Sequence, residues 1–216
     1  MDVQTYLKTR KEELRKEAGL VKDFSVFDFN FIPTQPLMRD EAKTIIDALL
    51  RYDQTGIPKN LAVFGTRGSG KTLLVRYLRK ALQAETKIKI VYVNVRNHNT
   101  SFKIVAHLLR VNARGASFDE LFTQFRQAYA EKTVIVLDEL DLMSPKKDRQ
   151  MEILYRLSRS ANNYMVVLLS NSPRLIHVLD PSARSTLQPE VVHFRNYDAR
   201  QLYEILAARA QQGLVQ

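Results

Sequence analysis

The residues with the clearest chemistry lie between Leu61 and Thr72, LAVFGTRGSGKT, where an apolar run breaks into glycines and closes on a lysine and a threonine. The spacing is that of a phosphate-binding loop, G-x-x-x-x-G-K-[ST], made of Gly65, Thr66, Arg67, Gly68, Ser69, Gly70, Lys71 and Thr72. Glycines there allow backbone conformations that a Cβ forbids, so successive N–H groups can turn inward toward phosphate oxygens. Lys71 would carry a point charge to the β and γ phosphates of a nucleotide, and Thr72 would offer its hydroxyl to Mg²⁺. The helix expected from about Gly70, with Leu73 in its first turn, would add the positive end of its dipole.

A second group of chemical residues closes another apolar run. The segment TVIVLDEL, from Thr133 to Leu140, ends in the adjacent acids Asp138 and Glu139. Beside a phosphate loop, Asp138 would hold the metal, usually through water, and Glu139 would act as general base for the attacking water. The alternative for the pair is an ordinary polar turn. Asn171 follows the run Met165 to Leu169 and could orient that water or touch the γ phosphate with its amide, although loops favour asparagine for their own reasons. The N-K-x-D signature of guanine recognition is missing, which points to ATP or ADP with Mg²⁺.

These side chains need a scaffold, and the hydrophobic pattern supplies one. Nearly continuous apolar runs predict strands ahead of Gly65, at Ile88 to Val95, at Thr133 to Leu140, at Met165 to Leu169 and at Val191 to Phe194. Between them the periodicity predicts a helix over Asp40 to Tyr52 with Ile45, Ile46, Leu49 and Leu50 inward, and another after the glycine loop with Leu74, Tyr77, Leu78 and Leu82 along one side. Thr100 would cap a helix with Phe102, Val105 and Leu109 inward, Ser117 and Glu120 would form a capping box for a helix through about Ala130, and Asp198 with Gln201 would cap the last. Ser144 with Pro145 would open a basic helix, and Ser172 with Pro173 a short one. Strands that alternate with helices and are themselves almost wholly apolar predict an α/β fold, a parallel sheet covered on both faces. In such sheets a ligand sits beyond the carboxyl ends of the strands, which is where the glycine loop, the paired acids and Asn171 fall.

Composition narrows the class. The chain has 216 residues, a hydrophobic share of 45% and a charged share of 26%, which suits one sizeable α/β domain. It contains no cysteine, so disulfides and thiolate metal sites are excluded, and His98, His107, His177 and His193 show no ligand-like spacing. No apolar stretch reaches the roughly 18 residues of a membrane span, and the N-terminus is charged where a signal peptide would be apolar, so a cytoplasmic setting is expected. The formal charge of +10 favours polyanionic partners such as DNA or RNA. Residues 1–18 read as a basic helix, either a solvated arm docked on the domain or an arm that contacts phosphates.

Further stretches stand beside the phosphate loop, IPTQPLMRDEAKTI ahead of it, then YVNVRNHNT, VIVLDELD, LYRLSRS, LLSNSP and LDPSARSTLQPEVVHFRNYDARQLYEIL, and of these YVNVRNHNT and the long last one are far more specific than the loop itself. Over roughly residues 27–216 the chain resembles the AAA+ ATPases, and among them the replication-initiator family of origin recognition complex subunits and cell-division-control initiators in its archaeal form. The resemblance implies a P-loop NTPase base domain, residues 19–196, with a five-stranded parallel sheet sandwiched between helices, and the start of a helical lid at 197–216. Family members continue into the rest of the lid and a winged-helix domain, neither of which the sequence contains. It implies ATP binding that switches a DNA-bound initiator, with the adenine against Ile32 to Arg39, where Ile32, Pro33 and Arg39 are the candidates.

The resemblance also implies an insertion within Ser101 to Ala116 that touches double-stranded DNA, for which Arg110 and Arg114 are nominated against a plain solvated face. Other AAA+ initiator subunits, further copies of the chain and the replicative helicase are the implied protein partners, and the nucleoid is the implied location. Where the family has an arginine directly after the proline of DPSARSTL, this chain has Ser182, leaving Arg184 as either a displaced finger acting on a neighbour's ATP or a surface residue. Without the rest of the lid to exclude water or supply the remaining charge over the γ phosphate, hydrolysis by the isolated chain is expected to be slow. Two other readings stand beside this one: an AAA+ ATPase of another kind, such as a transposition regulator or clamp-loader relative, and a module that binds ATP with little turnover.

Overall fold

The expected strands form one parallel sheet: β1 (Leu61–Gly65), β2 (Lys89–Asn94), β3 (Thr133–Asp138), β4 (Tyr164–Ser170) and β5 (Glu190–Phe194), in the order β2-β3-β4-β1-β5. All four pairings are parallel. Every residue of β3 and β4 is buried, as their unbroken apolar sequences require of strands covered on both faces. The structure, a computed structural model, describes residues 2–28, 31–143, 151–160, 163–174 and 179–215, with the side chains of 15–18 left aside. It divides into two compact units, Met38–Asn196 and Met1–Leu37 with Tyr197–Gln216.

The larger unit holds the sheet. Alternate residues of each strand face opposite ways, so Ile135, Leu137 and Leu168 join one core with Ile104, Phe125 and Leu154, while Val134, Val136 and Val167 join the other with Ile45, Leu74 and Leu78. Helices α2 (Asp40–Thr55) and α3 (Lys71–Glu85) supply the second core. Helices α4 (Ser101–Leu109), α5 (Phe118–Ala128), α6 (Glu152–Ser158) and α7 (Pro181–Leu187) supply the first.

One expectation about a helix face needs correction. In α2 the buried stripe is Ala42, Ile45, Ala48, Leu49 and Tyr52, and Leu50 is exposed, because each residue turns about 100° from the last. In α4, capped by Thr100 as expected, Ser101, Ile104, Val105 and Leu108 are buried, and Phe102 and Leu109 pack against the same core while partly covered. The capping box at Ser117 and Glu120 forms with both of its hydrogen bonds.

Helix α7 was missed, although Asp180 accepts from the backbone of Ser182 and Ala183 and Pro181 takes the first helical position, a readable start signal. The helix expected from Ser144 and Pro145 lies outside the described residues. At the second expected proline start, Pro173 and Arg174 stand in a turn, and 175–178 lie outside the described residues.

In the smaller unit, α1 (Val3–Ala18) presents exposed side chains from residue 2 to 14, and α8 (Ala199–Gly213) begins at the expected capping box of Asp198 and Gln201. The backbone N–H of Lys22 donates to Gly213 at 2.7 Å, and Val21 bridges Leu214. Among the described residues no helix is long and apolar enough to cross a membrane.

Candidate functional site

Adjacency of β3, β4 and β1 brings their carboxyl ends together, and each end carries one of the chemical segments. The loop from β1 to α3 turns through Gly68 at φ 83° and Gly70 at φ 93°, the left-handed region that a Cβ disfavours. Gly65 is constrained by space: a Cβ there would lie 2.6 Å from the Phe194 carbonyl oxygen and 2.8 Å from Ser69 Oγ. Thr66, Arg67 and Gly68 form the exposed rim of the loop, and Ser69 is buried. Thr66 hydrogen-bonds Asn196.

Lys71 folds back into this loop. Its Nζ donates to Gly65 O at 2.6 Å and Thr66 O at 2.9 Å, and more loosely to Ser69 Oγ and to Asn171 Oδ1, both at 3.3 Å. Every direct partner is a neutral acceptor. Burial pushes the lysine's pKa down, and the charges of Asp138 and Asp141 only partly oppose it. A buried ammonium with no carboxylate in contact is a site that an anion improves, and a phosphate group fits it.

Asp138 is buried and fully engaged. Its Oδ2 accepts from Thr72 Oγ1 at 2.8 Å and from the Tyr92 hydroxyl at 2.6 Å, and its Oδ1 accepts from the Glu139 backbone N–H at 2.8 Å. A hydroxyl and a carboxylate side by side make an all-oxygen donor set, which suits Mg²⁺, an ion that takes one or two carboxylates and leaves its other positions to phosphate and water. Tyr92 was not foreseen; its signal was a polar tip within the otherwise apolar run IKIVYV. Burial, and then the bond to Asp138, push its phenol up to about 12, so it stays a donor. Because the phenol fixes the carboxylate, Tyr92→Phe is expected to weaken Mg²⁺ binding in the nucleotide complex about tenfold. A Mg²⁺ titration at fixed nucleotide measures this, and unchanged affinity would leave the phenol a packing role only.

Glu139 follows in left-handed conformation, φ 55° and ψ 41°, strained for a residue with a Cβ. Its carboxylate is clasped by Arg96, through Nε at 2.9 Å and Nη2 at 3.1 Å. The Arg96 hydrogen bond, helped by Asn94, holds its pKa below the usual carboxylate range. Asn171 is fixed at two points: its backbone N–H donates to Asp141 Oδ1 at 3.2 Å, and its amide oxygen receives Lys71. Arg96, Asn94 and Asp141 are thus site residues that the sequence reading did not single out.

Arg39 is buried, donating to Ser69 O at 3.0 Å and Arg195 O at 2.8 Å, pairing with Glu41 and lying over the Phe194 ring. It braces the loop from behind. Leu73 sits half-buried in the first turn of α3. Ile32 and Pro33 belong to the smaller unit. Arg184 is exposed on α7. Arg110 and Arg114 line a groove beside β2. The rings of His98 and His107 stack with their centroids 3.9 Å apart.

A family model described as AAA domain matches residues 57–179. The chain is similar to the ORC1-type DNA replication protein 1 of Sulfolobus acidocaldarius, 30% identical over 201 residues, covering 86% of this chain and 50% of that protein. It is also similar to the ORC1-type DNA replication protein of Pyrococcus abyssi, at 27% identity, covering 97% of this chain and 55% of the relative. The chain thus spans about half the length of the curated relatives it matches. Among solved structures, Aeropyrum pernix ORC1 in complex with DNA superposes with a TM-score of 0.79 at 25% identity, over 92% of this chain and 56% of that one. Cdc6p from Pyrobaculum aerophilum shares the fold, with a TM-score of 0.77 at 24% identity over 91% and 55%.

Proposed function

The chain belongs to the AAA domain family, and from that premise we propose that it is the ATP-binding, ATP-hydrolysing switch of a DNA replication initiator. The observation that carries the reading is the meeting of Lys71, Thr72, Asp138 and Asn171 through hydrogen bonds at three adjacent strand ends, with Glu139 next in line. That the relatives are ORC1-type DNA replication proteins supports the initiator assignment. When bound, Mg²⁺-ATP supplies the reactive phosphoryl group and the cation that neutralises its charge.

The protein's own groups then have separate tasks. The amides of residues 65–72 cradle the phosphates, and the Lys71 ammonium exchanges neutral carbonyls for phosphate oxygens. Thr72 and Asp138 hold the cation. Glu139 removes a proton from the attacking water, and Asn171 orients that water. Arg39 keeps the loop from spreading. Arg184 would act across a subunit boundary on a neighbour's nucleotide, as the finger of another initiator subunit or of a second copy, and the replicative helicase is the downstream partner. The clasp of Arg96 on Glu139 favours slow turnover in the isolated chain, which also supports the reading of a nucleotide-binding module that rarely hydrolyses.

Arg110 and Arg114 would contact the phosphates of double-stranded DNA. If they and other basic residues engage six or more phosphates, duplex affinity should fall by about a thousandfold or more between 50 and 200 mM salt. Filter binding measures this directly, and an affinity that stays flat over that range rules out phosphate-driven association.

A further inference from the structure

The groove beside β2, an edge strand of the sheet, has a volume of about 740 Å³. Sites for small ligands usually measure about 300 to 1,000 Å³. Four cationic side chains line it, Arg79 from α3, Lys103 from α4, and Arg110 and Arg114 from the segment that follows, and no aspartate or glutamate does. Among the described residues none of the four makes an ion pair. A wall of unpaired positive charge selects an anion.

The rest of the lining combines apolar side chains with planar ones, Asn112 being its one amide. Phe102 contributes a ring, Tyr92 and Tyr129 contribute rings that already carry Arg76 and Lys89 on one face, and the stacked pair of His98 and His107 adds another flat surface. Simple phosphate would satisfy the cations without touching Phe102, the histidine pair or the remaining tyrosine faces, whereas a base joined to a phosphate uses both. Arg110 points to selection of this kind from a different direction. It ends α4 at φ 57°, where glycine or asparagine would sit without strain, so a bulky cation occupies the position against backbone preference.

We propose that this groove is a second nucleotide site, distinct from the 65–72 loop, which takes a planar base with its phosphate either as a free nucleotide or as one unit of a single strand. It goes beyond the function proposed above and shares Arg110 and Arg114 with the duplex contact. The test uses Lys71→Ala protein without Mg²⁺, so that the phosphate loop is disabled, titrated with a fluorescent nucleoside monophosphate and, separately, with a labelled short single-stranded oligonucleotide. At least one should bind, and which one identifies the source. Arg79→Glu and Arg110→Gly, added singly, should each weaken that binding tenfold or more. Arg110→Gly is informative because glycine accepts φ 57° freely, so the melting temperature should hold or rise and lost binding cannot be lost folding.

Failure of both probes to bind, or full binding by both variants, overturns the proposal. So does competition by polyglutamate equal to that of the nucleotide, which would make the groove a dock for acidic peptides. Duplex DNA titrated in parallel separates the two assignments: a protein that binds the probes but not duplex keeps this site and loses the duplex contact.

Discussion

Lys71→Met is expected to weaken ATP binding about a hundredfold while leaving the nucleotide-free protein at least as stable as before. The affinity estimate follows from two charge-assisted hydrogen bonds to phosphate, each about 1.5 to 3 kcal/mol, where about 1.4 kcal/mol is a factor of ten. The stability estimate follows from the lysine's surroundings. Nζ is buried against carbonyl oxygens with no carboxylate in contact, and burial lowers its pKa in the folded state. A lysine with a depressed folded pKa binds its proton better when the chain is unfolded, so it costs stability at neutral pH and that cost fades as pH rises from the folded toward the unfolded value. Methionine removes the charge and keeps most of the stem. Calorimetric titration and thermal melts at neutral pH check both halves. A variant that binds ATP normally would remove the phosphate-loop reading, and one that melts far lower would make Lys71 a structural tie.

The same lysine shows which parts of the site a sequence can display. Gly65 to Thr72 was legible because the loop's requirements are local: glycines at fixed offsets after an apolar run, then Lys71 and Thr72 at the head of a helix. The five strands were legible for a related reason, since burial on both faces fills the middle of β3 and β4 with Val, Ile and Leu. Strand order was not legible, and with it went the residues whose partners lie across the sheet. Tyr92 reaches Asp138 across 46 positions only because β2 pairs β3 in a register that sets Tyr92 against Val136. Arg96 reaches Glu139 across 43 positions for the same reason, where the backbone N–H of Val95 still donates to Asp138 just past the end of β2.

Arg39 is a sharper case. The resemblance placed it near the adenine, and what the sequence could not display is that its guanidinium donates to Ser69 and Arg195, which the pairing of β1 with β5 brings within reach. Helix phase failed on a smaller scale, at Leu50, because an apolar residue beside the stripe looks the same in sequence as one inside it.

Glu139 and Arg96 should separate binding from turnover. Glu139→Gln keeps the shape of the side chain and removes its capacity to take a proton, so ATP affinity should stay within about threefold while hydrolysis falls a hundredfold or more, the range general bases contribute. Undiminished turnover in that variant would take the base role away from Glu139. Arg96→Ala tests the clasp from the other side. The guanidinium holds the glutamate's pKa down, chiefly through its hydrogen bonds, and so makes it a weaker base while tying it in place. Loss of Arg96 should raise that pKa toward the ordinary carboxylate value, move the acid limb of the rate profile to higher pH, and increase the rate on the plateau. The sign is fixed by the direction of the shift: a depressed carboxylate stays ionised to lower pH, so the wild-type limb must lie on the acid side of the variant's. A slower Arg96→Ala enzyme with an unmoved limb would mean that the arginine assists the reaction instead of restraining its base, and the slow turnover expected of the isolated chain would need another cause.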